Sequence, residues 1–485
     1  MSKINKFRIY QKLQMHSQEI LAEMKKQADD IGIPKDLRGK IGLGGGSGNP
    51  PTLPEDVLQA IHTYGREVVP LAKLVDEIRD IVKDVYGDGY DAAPVSTAEA
   101  ALWVSFDTLV SPPFEGRGEN YRPAYIAPYE RHIHHQGGYG RPFPPKYKDL
   151  VGDRGSTAGE LGVYAKRLCD LDTIIVPLEG ATYDAHGIKY HPVPILNHVD
   201  SRRSAERIAR VAERHASRLG GFASLGYDTL GYGYSEKETN GAPMLQRMIG
   251  KLAAEYDVPY ICDNARGLPF IGTDPRKNLS DIILYSMDKA AEAPTSGLII
   301  GKEDVMVPVR KALGYHGSRG GTVSTYGKAG YVMADPGKEA LTGMVVALKK
   351  LRDRPDEMRK RIDEMYKIVK QEFETFSSLP DEGIHVTKSE NGAAVEVNYS
   401  DTWTEDVAGI PIFSIEDMYA GSNLIQVGLP LMGINTPLAY DANVFLVMGQ
   451  GNVDGSGNLL QDRVEFAVRG VIRAIEIVKR WAESK

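Results

Sequence analysis

An α/β fold built on a mainly parallel sheet is predicted for this 485-residue chain from three observations. Short apolar runs alternate with helical stretches from about residue 90 to Ile300. One of those stretches, Met244 to Tyr256, is long enough to cross over a parallel sheet between the runs Phe222–Leu225 and Pro259–Cys262. Polar, chemistry-bearing residues follow directly on several of the runs, as they do where open α/β sheets gather ligands at strand ends. The length suits two or three domains. We divide it into N-terminal helices over 1–70, a large α/β unit over 71–335 and a smaller α+β unit over 336–485.

From the N-terminus, Ile9, Leu13, Met15, Ile20, Leu21 and Met24 recur at helical spacing, giving an amphipathic helix over about 9–28 suited to serve as an arm on a partner subunit. The glycine-rich run from Leu43 to Pro51 is a loop, and Leu53-Pro-Glu-Asp starts a helix because proline and acidic side chains fit a first turn. A helix over Leu71 to Val85 stops at Tyr86-Gly-Asp-Gly. Candidate strands follow at Ala124–Ala127, Thr173–Pro177, Phe222–Leu225, Pro259–Cys262, Ile282–Tyr285 and Gly297–Ile300. The stretch after His135 is rich in Gly, Pro and aromatic residues, which forbids a long helix and marks an insertion or lid over 136–168. A long helix over Lys338 to Phe376 is interrupted near Arg354-Pro355-Asp356. Strand-like runs at Ala393–Val397 and Asn443–Val447 and a helix over Val464 to Trp481 complete the chain.

Composition removes several function classes. The chain has 58 Lys+Arg against 65 Asp+Glu, a net charge of −7, so there is no global basic field for nucleic acid. With 42% hydrophobic and 25% charged residues the chain is globular in character, neither disordered nor fibrous. Two cysteines, Cys169 and Cys262, are too few for a disulfide framework or a four-cysteine zinc site, which fits a reducing cytoplasm. The first thirty residues lack a signal-peptide core, and no run of 18 apolar residues occurs, so neither secretion nor membrane spanning is expected.

The chemistry is concentrated in Pro259-Tyr-Ile-Cys-Asp-Asn-Ala-Arg-Gly and Tyr285-Ser-Met-Asp-Lys, each of which ends an apolar run in polar groups. A carboxylate, Asp263, and an amine, Lys289, delivered to one pocket match the needs of pyridoxal 5′-phosphate (PLP). That cofactor requires a lysine for a Schiff base, an acid to keep its pyridine nitrogen protonated and a helix N-terminus for its phosphate. The phosphate candidate is Ser96-Thr97-Ala98, where Ser96 or Thr97 caps a helix whose first N–H groups are unpaired. Ser286, three residues before Lys289, offers another hydroxyl. His132 is favoured to lie against the pyridine ring, with His134 the alternative on the same strand face.

These residues resemble the fold type I PLP-dependent enzymes, the aspartate aminotransferase superfamily, over about residues 45 to 480. The likeness is carried by the Asp263–Lys289 spacing, by Ser286 and by the run Thr295-Ser-Gly-Leu-Ile-Ile-Gly-Lys-Glu-Asp. It implies a PLP-dependent transferase-like large domain. It also implies that Lys289 carries the internal aldimine, that Asp263 pairs with the pyridine nitrogen, and that Ala265 packs on the ring face opposite the histidine. Two further stretches, Met287-Asp-Lys-Ala-Ala-Glu-Ala-Pro-Thr-Ser-Gly and Pro336-Gly-Lys-Glu-Ala-Leu-Thr-Gly, are similar to the branch containing selenocysteine synthase and D-glucosaminate-6-phosphate ammonia-lyase.

In such dimers the segment after the lysine strand often reaches the neighbouring active site. Ser318, Arg319 and Thr322, in His316-Gly-Ser-Arg-Gly-Gly-Thr, are therefore candidates for an anion contact across a homodimer, with a solvated glycine turn as the bland alternative. Arg266 is placed either for the oxygen side of the cofactor ring or for a surface ion pair. The expected activity is Cα carbanion chemistry on an amino acid or amino-sugar acid, with elimination by a lyase foremost and transamination or decarboxylation as alternatives. The late strand Asn443-Val-Phe-Leu-Val-Met-Gly-Gln lacks the arginine that an aminotransferase of this superfamily places there. A non-catalytic scaffold of the same fold is the reading from another class.

Overall fold

A computed structural model describes residues 6–44, 49–110, 122, 124–128, 172–176, 178–180, 182–186, 191–195, 199–228, 234–315, 334–377, 383–389, 391–399, 402, 421–436 and 443–483. The chain opens with α1 (Lys6–Met15) and α2 (Ser17–Asp30), followed by the two-residue strand β1 (Ile41–Gly42), α3 (Glu55–Gly65) and α4 (Leu71–Tyr86). The N-terminal helix expected over 9–28 is thus two helices that meet at His16. Its apolar face, with Leu13, Ile20 and Met24 fully buried, is covered within this chain by C-terminal helices and not left for another subunit.

Next come β2 (Tyr90–Val95), α5 (Ala98–Leu109), β3 (Ala124–Pro128), β4 (Asp172–Val176) and a small antiparallel pair, β5 (Thr182–His186) with β6 (His191–Ile195). They are followed by α6 (Ser201–His215), β7 (Leu219–Leu225), α7 (Met244–Glu255), β8 (Tyr260–Asp263), the short α8 (Pro275–Asn278), β9 (Ile282–Ser286), β10 (Gly297–Lys302) and α9 (Glu303–Ala312).

Seven of these strands form one sheet in the order β2-β10-β9-β8-β7-β3-β4. Only β10 runs against its neighbours, so β2, β9, β8, β7, β3 and β4 all end on the same edge. Every residue of β7, β8 and β9 is buried, as a sheet covered by helices on both faces requires. Helix α5 packs across β8, β9 and β10, while α6 and α7 pack on each other and on β3, β4, β7 and β8.

Sequence order then gives α10 (Lys338–Asp353), α11 (Pro355–Phe376), β11 (His385–Ser389), β12 (Ala394–Asn398), α12 (Gly421–Leu431), β13 (Ile434–Asn435), β14 (Asn443–Val447) and α13 (Gln461–Glu483). The break expected near Arg354 separates α10 from α11, with Pro355 opening the second helix, where its missing N–H costs nothing. Strands β11, β12 and β14 form an antiparallel sheet backed by α11. Parallel pairing of Ile41 with Ile434 ties the N-terminal segment to the C-terminal one, and α2 packs on α12 and α13.

At one point the packing leaves no room for a side chain. The turn that links β9 to β10 returns at Gly297, where a Cβ would stand 2.2 Å from the carbonyl oxygen of Thr97 at the start of α5. Glycine there lets the lysine-bearing turn and the α5 cap meet. The substitution Gly297→Ala should therefore cost roughly 1–3 kcal/mol in urea denaturation. An unchanged midpoint would show that the two backbones are free to part.

Candidate active site

Strand β8 delivers Asp263 at its last position, and β9 delivers Ser286, with Lys289 three residues beyond. The two strands are parallel neighbours, Asp263 being in register with Leu284, so the 26 positions between aspartate and lysine collapse to adjacent strand ends. Asp263 is 2% exposed and Lys289 8% exposed. Burial pushes the Asp263 carboxyl up to about 6, against an opposing pull from Lys289 and from the Ala265 N–H. Burial lowers the Lys289 ammonium, helped by Arg266, while Asp263, Glu99 and Asp288 hold it up. Each group is thus within the other's field, in surroundings that disfavour both charges.

Glu99, in the first turn of α5, acts electrostatically on both Asp263 and Lys289, which places the α5 N-terminus beside the pair. Thr97 is the cap, its hydroxyl accepting from Ala100 N at 3.0 Å. Ser96 precedes it and donates its N–H to Ala334 O, and Ala98 is buried. Ser286 is also buried, but its hydroxyl donates to Asp288 Oδ1 at 2.5 Å, so its proton is committed within the lysine turn. Ala265 is buried directly after the aspartate loop begins. His132, His134, Ser318, Arg319 and Thr322 lie outside the described residues.

The Asp263 carboxylate carries the test of whether PLP fits. Its Oδ1 accepts from Ala265 N at 3.1 Å, whereas Oδ2 is buried with no hydrogen-bond partner among the described residues. A buried carboxylate oxygen without a donor is costly. A protonated ring nitrogen is a donor that would satisfy it. With Lys289 within electrostatic reach and a capped helix N-terminus nearby, the residues fit this cofactor.

Several residues that shape the site escape a reading of sequence. Lys289 borders a narrow cleft lined also by Tyr227, Arg266, Ser389, Asn391 and Phe445. Asn391, between β11 and β12, exchanges two amide hydrogen bonds with buried Asn264, at 2.9 and 2.7 Å, and locks the aspartate loop to the small antiparallel sheet. Gly226 must be glycine for that pair, since a Cβ would meet the Asn264 side chain at 2.5 Å. Glu292, buried at a positive φ of 57° three residues after Lys289, is clamped by both ends of the Arg361 guanidinium at 3.0 and 3.3 Å, which fixes the lysine turn to α11. A lone asparagine in a Glu-Asn-Gly turn or an arginine on an amphipathic helix gives no local signal of such roles.

Comparison with known proteins follows the same lines. No protein-family model matches the sequence, and no curated protein matches it significantly. Among solved structures, a chain of a SepCysS–SepCysE N-terminal domain complex is similar with a TM-score of 0.51 at 13% identity, over 91% of this chain and 96% of that one. The multiple substrate aminotransferase of Thermococcus profundus gives 0.50 at 13% identity, over 94% and 95%. A structure of D-glucosaminate-6-phosphate ammonia-lyase gives 0.44 at 14% identity, over 91% and 96%, which does not bear on the branch. The chain has the α/β fold of the fold type I PLP-dependent enzymes.

The raised Asp263 carboxyl has a measurable consequence. Its folded value of about 6 lies above the unfolded 3.8, so its contribution to stability is full below about pH 4 and is lost as pH rises through 6. In protein prepared without PLP, Asp263→Asn should therefore gain stability relative to the parent between pH 4 and 7, by at most roughly 3 kcal/mol. Urea denaturation at each pH reads it, and a difference constant with pH would show the carboxylate to be comfortable where it lies.

Proposed function

We propose that this protein is a PLP-dependent enzyme that acts at the Cα of an amino acid or amino-sugar acid, most directly as a lyase. The observation that carries the reading is the buried Oδ2 of Asp263, which has no donor among the described residues, set beside a buried lysine whose ammonium is lowered by its surroundings. Lys289 would hold the cofactor covalently, Asp263 its ring nitrogen, and the first turn of α5 at Thr97 and Ala98 its phosphate. Ala265 would back the ring, and His132 or His134 would cover the opposite face. Ser318, Arg319 and Thr322 remain our candidates for a contact from the second subunit of a homodimer. When bound, the cofactor supplies an electron sink for negative charge at the substrate Cα.

The chain's own residues set the rest of the chemistry. Asp263 would hold the proton on the ring nitrogen and so strengthen the sink that the cofactor supplies. Lys289 would be the group that moves a proton at the substrate Cα, and burial, by lowering its ammonium, favours the free amine that such a role needs. Asp263 and Lys289 are both buried, so little water reaches the pair. Cys262 is not suited to sulfur transfer, being fully buried within β8 with Asn278 Nδ2 at 3.5 Å from its Sγ, and Cys169 lies outside the described residues. Transamination is the second reading, favoured by the position of Arg266, whose guanidinium lies 4.2 Å above the ring of Phe445 on the late strand β14.

Purified protein mixed with PLP and then desalted should retain a visible absorbance band. Lys289→Ala should lose that band and all turnover while keeping its melting temperature within a few degrees. Parent protein that emerges colourless would favour a scaffold of the same fold.

A further inference from the structure

We propose that Glu292 is a positioning residue for Lys289: the buried Glu292–Arg361 pair holds the lysine-bearing turn in the arrangement that presents the amine beside Asp263, and it serves that placement rather than the stability of the fold. The inference rests on Lys289 as the reacting amine, since it says what holds that amine still.

The connection from Met287 to Ser296 carries Lys289 in neither a helix nor a strand. Within it, Met287 N donates to Ser296 O at 2.9 Å and Ala293 N to Met287 O at 3.0 Å, which closes the loop at its base and not at the lysine. Side chains do the rest. Pro294 fills a notch on α10 at Gly343, where a Cβ would stand 2.3 Å from the proline Cδ. About two turns further along the same face of α10, Lys350 Nζ reaches Glu292 Oε2 at 3.4 Å. Arg361 takes the same carboxylate from α11, with Nη1 on Oε1 at 3.0 Å and Nη2 on Oε2 at 3.3 Å, and its Nη1 also donates to Gly457 O at 3.4 Å. Two helices and the loop before α13 thus grip the lysine turn through one carboxylate.

Two features of Glu292 work against stability. Its φ of 57° lies in the left-handed region, which glycine enters freely and a residue with a Cβ does not. Its carboxylate is buried, 4% exposed, and so is Arg361 at 9%, so both charges have given up most of their water. A buried ion pair roughly cancels its own desolvation cost, and apolar side chains of the same volume often hold a fold as well or better. Neither the backbone nor the charges account for this residue as a stabiliser. What a forked guanidinium–carboxylate pair supplies, and apolar contact does not, is a fixed distance and direction. Strained residues persist where the surrounding structure over-determines them, and they cluster where geometry carries function. Only Ala290 and Ala291 separate the clamp from Lys289, so any slip of the turn passes straight to the amine.

Glu292→Met combined with Arg361→Met replaces the ion pair by apolar side chains of similar volume. This double variant should melt within a few degrees of the parent. Pyridoxyl labelling of Lys289, trapped with borohydride and read by peptide mapping, should slow about 10–100-fold because the amine is misplaced. In protein prepared without PLP, trace acetylation of Lys289 by acetic anhydride should speed about threefold or more as the turn loosens. Arg361→Lys, which keeps the charge but gives up the fork, should show both changes at smaller size, and it decides the matter if the double variant fails to fold. Labelling and acetylation that match the parent in the variants overturn the proposal. So does an Arg361→Lys protein that melts far below the parent with Lys289 reactivity unchanged, which is how a purely structural ion pair behaves. Parent protein that takes no pyridoxyl label defeats the cofactor reading separately, and the acetylation rates then decide alone: faster in the variants upholds the clamp, and equal rates overturn it.

Discussion

A carboxylate and an amine share a dry interior at the ends of two adjacent parallel strands, and each is held in a state that water would not choose. Asp263 is raised by burial and Lys289 is lowered by it, while their attraction works against both shifts. Structural salt bridges in this chain look different: Arg361 meets Glu292 with both carboxylate oxygens engaged. Asp263 instead leaves Oδ2 with no donor among the described residues. A fold that keeps such an atom buried carries a cost that a bound cation at the ring position would remove.

The surrounding architecture serves that pair. One reversed strand, β10, lets β9 turn back through a ten-residue connection, Met287 to Ser296, that carries the lysine. Gly297 brings this turn against the α5 cap, Glu292 fastens it to α11, and Asn391 fastens the aspartate loop to the small sheet. Three strand ends and one helix start therefore meet with little freedom.

Much of this was legible in the sequence because buried parallel strands read as apolar runs that stop at polar residues. Asp263 and Lys289 stand where such runs end, and Ser96 or Thr97 reads as a cap from its residue type, of which the structure gives Thr97. Strand β2 escaped because Pro94 interrupts it; as the outermost strand it pairs only with β10 and tolerates the missing N–H. Helix α6 escaped because its buried stripe is largely Ser201, Ser204, Ala205 and Ala212, too small to stand out from its charges. Ser286 was read as an outward hydroxyl, but Asp288, two residues on, takes its proton. Phe445 was noticed only as a strand residue, since a contact with an arginine 179 positions earlier has no local mark.

Reduction with borohydride after incubation with PLP, followed by peptide mapping, tests the pairing of Lys289 with Asp263 most directly. The expected result is one pyridoxyl-modified peptide, the one containing Lys289, with labelling slowed when Asp263 is replaced by Asn. Label scattered over exposed lysines, or placed on Lys289 at the same rate with and without the Asp263 carboxylate, would contradict it.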